Sequence, residues 1–293
     1  MTRITTSQMF QSSTDNINRN RVRLMQASEQ VSTLRRVNRP SDDPVSAARI
    51  AQMNQALTRL DRYERNITMS RNFVDTTEAA LAQTIDDLTR VKELVIDVNG
   101  GNLGIDDFTG ASKEIEAIFE NILSYANTKD GERYVFGGYV TDTPPFDDSG
   151  VYQGGVDQDI DVEISQGQYV TINRDGQSIF AQPEDVFTVL NDVKAALDAG
   201  DQDLISAVIP RVEQILRQTI NARSGLGPIQ VSLENASNMN ADLEVAYTKI
   251  KGDNEDADMA EATANLTAEE NAYQASLLVS SRVMEMSLLD FLR

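Results

Sequence analysis

The sequence predicts a mainly α protein with a small β insertion, folded as an elongated hairpin of long helices. Three observations carry this expectation. Apolar residues recur at every seventh position along two long stretches, Met53 to Val95 and Val208 to Ile250. A sustained step of seven is the period of helices wound in a left-handed supercoil. Between the two stretches the pattern switches to strict alternation over Asp159 to Ile164, with acids on one face and Ile and Val on the other, as in a half-buried strand. The order of segments also reads the same from either end: arm, hinge, rod, insertion, rod, hinge, arm. Such a chain folds most simply with rod on rod, arm on arm and the β insertion at the far tip.

The N-terminal arm spans Thr5 to about Val37. Phe10, Ile17, Leu24 and Val31 stand at steps of seven, with Ala27 and Leu34 at the intermediate position, which makes a coiled-coil seam. Asn20 falls at an intermediate position too, where it either fixes the register or simply faces solvent. The arm ends at Asn38 to Pro44. Pro40 disfavours helix at Arg39. Ser41 or Asp42 then caps a new helix that carries Pro44 in its first turn. The neighbouring carboxylates Asp42 and Asp43 are read as capping groups and not as a catalytic pair.

The second helix spans about Asp43 to Val98, roughly 80 Å at the standard rise. Met53, Leu60, Ile67, Val74, Leu81, Leu88 and Val95 form its stripe, and Asn99-Gly100-Gly101-Asn102 ends it. A third helix, about Thr109 to Thr128, turns Ile115, Ile118, Phe119, Ile122 and Ala126 inward. Tyr134 to Tyr139 then reads as strand and turn. Tyr169 to Asn173 and Gln177 to Phe180 flank Asp175-Gly176, a hairpin signal. Pro183-Glu184 opens a short helix to about Ala199.

A long helical stretch follows, Asp201 to Ile250. Val208, Ile215, Ala222, Ile229, Ala236, Leu243 and Ile250 keep one phase across Ser224-Gly225-Leu226-Gly227-Pro228. The helix therefore passes through that segment or resumes in line, straight or kinked; the alternative is a tight turn at Gly225-Leu226-Gly227-Pro228. Lys251 to Asn254 is the second hinge. In the C-terminal arm, Leu266, Tyr273, Leu277, Met284, Leu288 and Phe291 fall on one stripe. An amphipathic helix must bury its stripe against something. The expected domains are 1–41 with 254–293 as terminal arms, 42–130 with 183–253 as a rod, and 131–182 as the insertion.

Composition narrows the chemistry. The chain has 293 residues and a net charge of −20, with no Cys and no His. Disulfides, thiolate or imidazole metal sites and Cys or His catalysis are excluded. The acidic balance argues against nucleic acid. No apolar run approaches membrane-spanning length, and the first thirty residues are polar, so neither a membrane span nor a Sec-type signal is expected. Asp157, Asp159 and Asp161 share a strand face that reads as solvated, with no chelating loop around it. The acidic run Asp253 to Asp258 lacks the glycine and terminal glutamate of a calcium loop. No cofactor is expected. The ends differ in sign: residues 1–65 carry eleven Arg against six acids, and residues 251–293 three basic residues against nine acids. That difference favours their meeting.

Arg39-Pro40-Ser41-Asp42-Asp43-Pro44-Val45-Ser46-Ala47-Ala48-Arg49 resembles the N-terminal signature of bacterial flagellins and their junction relatives. Arg223 to Pro228 and Tyr273 to Leu289 resemble the C-terminal region of the same family, with Pro228 a departure from it. Met1 to Met9 and Met286 to Leu292 are more similar to the junction relatives than to filament subunits. The resemblance implies a structural, non-enzymatic protein at the hook–filament junction, extracellular and exported through the flagellar type III apparatus without a cleaved signal. It implies another junction protein on the hook side, flagellin on the filament side, copies of itself in a ring, and an export chaperone on the C-terminal arm. Two other readings remain open at this point: a filament subunit, and a secreted enzyme with flagellin-like rods.

Overall fold

The computed structural model describes residues 6–100, 105–155 and 159–291, with side chains described over 8–100, 108–155 and 159–282. The chain divides into two compact units, one of Leu60–Asp242 and one of Met1–Arg59 with Leu243–Arg293.

The larger unit is organised on α2 (Pro44–Asn99), whose stripe from Leu60 onward is almost wholly buried. A second line accompanies it, also at steps of seven: Tyr63, Ser70, Thr77, Thr84, Val91 and Val98, all buried. The two lines together make a complete seam. The hydroxyls of Thr77 and Thr84 turn back to the carbonyls of Phe73 and Ala80 at 2.7 and 2.8 Å, so neither is left without a partner inside.

Against this seam lie α5 (Gln202–Ser224) and α6 (Gly227–Glu255). Cross-links set them antiparallel to α2: Lys92 to Glu213 at 2.9 Å, Arg223 to Glu78 at 2.7 Å, Gln230 to Asp75 at 3.1 Å and Ser237 to Glu64 at 3.0 Å. The break between α5 and α6 is two residues wide. Gly225 keeps right-handed helical angles (φ −66°, ψ −13°), and the amides of Ile229 and Gln230 both donate to the Leu226 carbonyl. The phase therefore survives: Ile205, Val212, Thr219, Leu226 and Leu233 are all buried on one line. Pro228 sits in the first turn of α6, where its missing N–H costs no helical bond. The helix thus resumes with its phase kept.

Beside α2 stand α3 (Ile105–Ala126) and α4 (Val186–Ala199). Arg90 pairs with Glu114 at 2.6 Å, and Ser112 donates to Asp198 at 2.5 Å. Asp185 caps α4 and Asp201 caps α5, while Gly200, at φ 62°, closes α4 in the left-handed conformation that only glycine adopts without strain.

The insertion holds two small hairpins, β1 (Lys129–Asp130) with β2 (Arg133–Tyr134), and β3 (Asp161–Ser165) with β4 (Gln168–Thr171). Its interior is aromatic. Phe136, Phe146, Phe180 and Phe187 are buried in mutual ring contact at centroid distances of 5.2–6.2 Å. Gly150 lies so close to Phe187 that a Cβ there would collide with the ring.

Two expectations change here. Asp175-Gly176 is not a hairpin turn: Gln177–Ala181 is a π-helical turn, started by Asp175 accepting the Ser178 amide at 2.6 Å and held by the burial of Ile179 and Phe180. The apolar run suited a strand locally, and tertiary burial decided otherwise. Within the larger unit, β3 lies against the long helices, with the Glu163 carbonyl accepting from Asn66 at 2.8 Å and the Ile164 carbonyl from Asn240 at 3.1 Å. Finally, α6 runs through Lys251–Asn254 to Glu255, and the break falls at Asp256–Asp258. Asp161 engages Thr171 at 2.6 Å, and Asp157 lies outside the described residues. Among the described residues no three acidic side chains cluster as a metal site would require.

Candidate assembly interface

The second unit is built from the two ends of the chain. Helices α1 (Thr6–Thr33) and α7 (Met259–Phe291) pack antiparallel, with Asn20 opposite Ala272 and Arg23 opposite Glu269. On α1 the facing lines are Ile17, Leu24 and Val31 beside Ser13, Asn20 and Ala27; of these only Ala27 is fully buried. On α7 they are Leu266, Tyr273 and Ser280 beside Ala262, Glu269 and Ser276. The larger apolar residues of this seam, Ile17, Leu24, Val31, Leu266 and Tyr273, are half-buried, because the described partner helix covers each from one side.

Large apolar side chains also remain exposed: Phe10, on the seam's own line, is 52% exposed, Met25 64%, Leu278 and Val279 60% each. Leu277 is exposed as well. The side chains of Met284, Leu288 and Phe291 lie outside the described residues. At about 25 cal/mol per Å2 of apolar surface, faces of this kind favour further association.

The breaks at the two ends of this pair meet in a hydrogen-bonded joint. Leu34 leaves α1 at φ 58°, and its carbonyl accepts the Ala257 amide at 3.0 Å. The Arg36 amide donates to the Glu255 carbonyl at 2.7 Å, and Arg35 and Asp256 form an isolated antiparallel bridge. The Arg36 guanidinium reaches Asp43 at 3.1 Å, Ser46 at 3.1 Å and the Asn254 carbonyl at 2.9 Å. The Glu255 carboxylate is buried between Arg35 at 2.9 Å and Lys251 at 3.7 Å. A buried carboxylate with two cationic partners escapes the penalty of lone burial.

The signature residues divide their roles. Pro40 and Ser41 form the exposed corner of a turn closed by the Asp42 amide on the Arg39 carbonyl at 3.0 Å. Asp42 accepts the Asn38 and Arg39 amides at 3.1 and 2.8 Å, so it holds the turn. Asp43 caps α2, accepting the Val45 and Ser46 amides, both at 3.1 Å, and the Ser46 hydroxyl at 2.6 Å. The Ser46 bonds and the Arg36 guanidinium hold its carboxyl well below the usual carboxylate range. Pro44 follows in the first helical position, where proline fits best. Asp258 caps α7 by accepting the Ala260 and Glu261 amides.

Sequence reasoning missed Arg36, Glu255 and Asp258. All three are charged, and periodic apolar spacing carries no information about them. The only available signal was the opposite charge of the two ends.

A paired helical arm with an incompletely covered seam, joined through a capped turn to a heptad rod, defines a class of structural subunits built to associate. Comparison with known proteins agrees. The bacterial flagellin N-terminal helical region matches residues 4–141, and the bacterial flagellin C-terminal helical region matches residues 209–292. The chain belongs to the flagellin family. Flagellar hook-associated protein 3 of Escherichia coli (strain K12) is 27% identical over 312 aligned residues, covering 98% of each chain. Flagellin of Bacillus subtilis (strain 168) is 28% identical over 284 residues, covering 90% of this chain and 91% of that one. The fold is shared with the flagellar junction protein of Legionella pneumophila, at 16% identity and a TM-score of 0.61, over 71% of this chain and all of the other.

Proposed function

We propose that this chain is a structural protein of the bacterial flagellum that joins hook to filament. The observation that carries the reading is the end-to-end match to hook-associated protein 3, over 98% of both chains. The flagellin of Bacillus subtilis is about as identical residue for residue but over a shorter span. The reading fits the site. One chain supplies a seam and leaves a second set of apolar faces uncovered, which neighbouring copies and adjoining subunits would cover in the assembled structure. The arms contribute assembly, not catalysis. In this reading the chain stands as a ring of copies between another junction protein and flagellin, reaches that place by type III export, and has its C-terminal arm held by an export chaperone beforehand. Phe10, Ile17, Leu24, Val31, Leu266, Tyr273, Leu277, Met284, Leu288 and Phe291 would be the contact residues.

A null mutant tests the assignment. Loss of a junction protein leaves intact hooks without filaments and flagellin shed into the medium. The second reading, a filament subunit, rests on the flagellin match. Seeding purified chain onto filament fragments separates the two: a filament subunit extends them, and a junction protein does not.

A further inference from the structure

A heptad repeat has a weakness as a guide to pairing. Sliding one helix by seven residues still lays Ile17, Leu24 and Val31 on the line that holds Leu266 and Tyr273. The apolar residues of α1 and α7 therefore choose the register weakly, and the joint, with the Ala257 amide on the Leu34 carbonyl and the Arg36 amide on the Glu255 carbonyl, holds only the end of the pair beside it. Polar residues can hold the rest. Asn20 lies in the seam, donates to the Ala272 carbonyl at 3.4 Å across it, and accepts from Arg23 on its own helix. Arg23 in turn faces Glu269 at 3.7 Å. Glu269 turns one carboxylate oxygen into the seam, where it is buried with no hydrogen bond among the described residues, so the Arg23 guanidinium is its nearest compensation.

We infer that Asn20, Arg23 and Glu269 are the specificity determinants that keep the register of the arm pair beyond its joint. A one-heptad slip sets Glu269 opposite Asn16 or Gln30, both neutral, and leaves the inward carboxylate oxygen uncompensated. The trio thus adds little to the strength of pairing and much to the choice of partner positions, at the cost of a less apolar seam.

The absence of Cys from the natural chain makes the test direct. In the full-length protein, Ile17→Cys with Ser276→Cys reports the observed register, since the antiparallel run from Arg23 and Glu269 places those turns face to face. Leu24→Cys with Ser276→Cys reports the slip of one heptad. Under mild oxidation, intramolecular disulfide is read by mass. The original trio should give the first product in clear excess. Replacing the trio's core by Asn20→Leu with Glu269→Leu should raise the share of the slipped product about tenfold, the loss of one charge-assisted discrimination. The charge swap Arg23→Glu with Glu269→Arg, in a chain that keeps Asn20, should restore the original ratio. Unchanged ratios in the double-Leu chain, or equal yields of both products with the trio intact, would overturn the inference.

Discussion

The rod and the arms share one sequence pattern and differ in what it accomplishes. In α2 the stripe residues Ile67, Val74, Leu81 and Leu88 are completely buried. In α1 the same spacing leaves Ile17, Leu24 and Val31 half-buried and Phe10 mostly exposed. The helices are equally periodic, so periodicity does not explain the difference. The number of neighbours does. Helix α2 is enclosed by several elements of its own unit, including α3, α5 and α6, whereas α1, among the described residues, has α7 as its one helical neighbour of any extent. The stripe of α5 and α6 shows the same decline along a single run: Val208 and Ile215 are buried, Leu243 is intermediate and Ile250 is exposed. A heptad repeat states that a helix wants partners; it does not state that its own chain provides them.

That contrast can be broken or sharpened by mutation. The largest expected effect is functional: removing residues 254–293 should abolish filament attachment while circular dichroism of the purified chain still melts cooperatively from the intact rod. Normal attachment of such a truncation would remove the arms from the account. Next in size, Leu81→Ala or Leu88→Ala in the rod should cost about 2–5 kcal/mol of unfolding free energy, as for other fully buried leucines. Denaturant titration gives that value. Phe10→Ser in the arm should change the stability of the isolated chain by less than about 0.5 kcal/mol, as expected of an exposed site. The same substitution should strongly impair assembly, so its two readouts should diverge where those of Leu81→Ala move together.

The smallest effect concerns the joint. The Asp43 carboxyl is held below its ordinary range in the folded chain, so it adds stability above the unfolded value near pH 4 and loses it as the pH falls. Asp43→Asn should flatten the acid limb of the arm unit's melting profile and leave its neutral-pH order of events unchanged. An acid limb that keeps its steepness would show that the carboxylate contributes nothing there.

Much of this architecture was legible in the sequence, and the gaps have physical causes. The rod stripes could be read because Val, Leu and Ile were counted at every seventh place. The companion line through Ser70, Thr77 and Thr84 escaped because hydroxyl residues do not register as apolar, though Thr77 and Thr84, turned back on their own helix, pack as small side chains. The arm seam was half legible for the same reason: Leu266 and Tyr273 were found, and Ala262, Ser276 and Ser280 were not. Gly252 suggested a hinge, but a single glycine is tolerated in a helix whose neighbours hold it, and α6 continues to Glu255. The cap at Asp43 could not be told from Asp42 by spacing alone, since one step along the chain decides which carboxylate meets the first free amides.

The most direct test is hydrogen exchange of the full-length chain, free and assembled. The account holds that α2 from Ile67 to Val98 is already complete in one molecule, while α1 and α7 are completed by neighbours. Amides of that α2 segment should exchange slowly in both states, and those of Ile17–Val31 and Leu266–Ser280 should exchange quickly in the free chain and slowly after assembly. Equal protection of arms and rod in the free chain, with no gain on assembly, would contradict it.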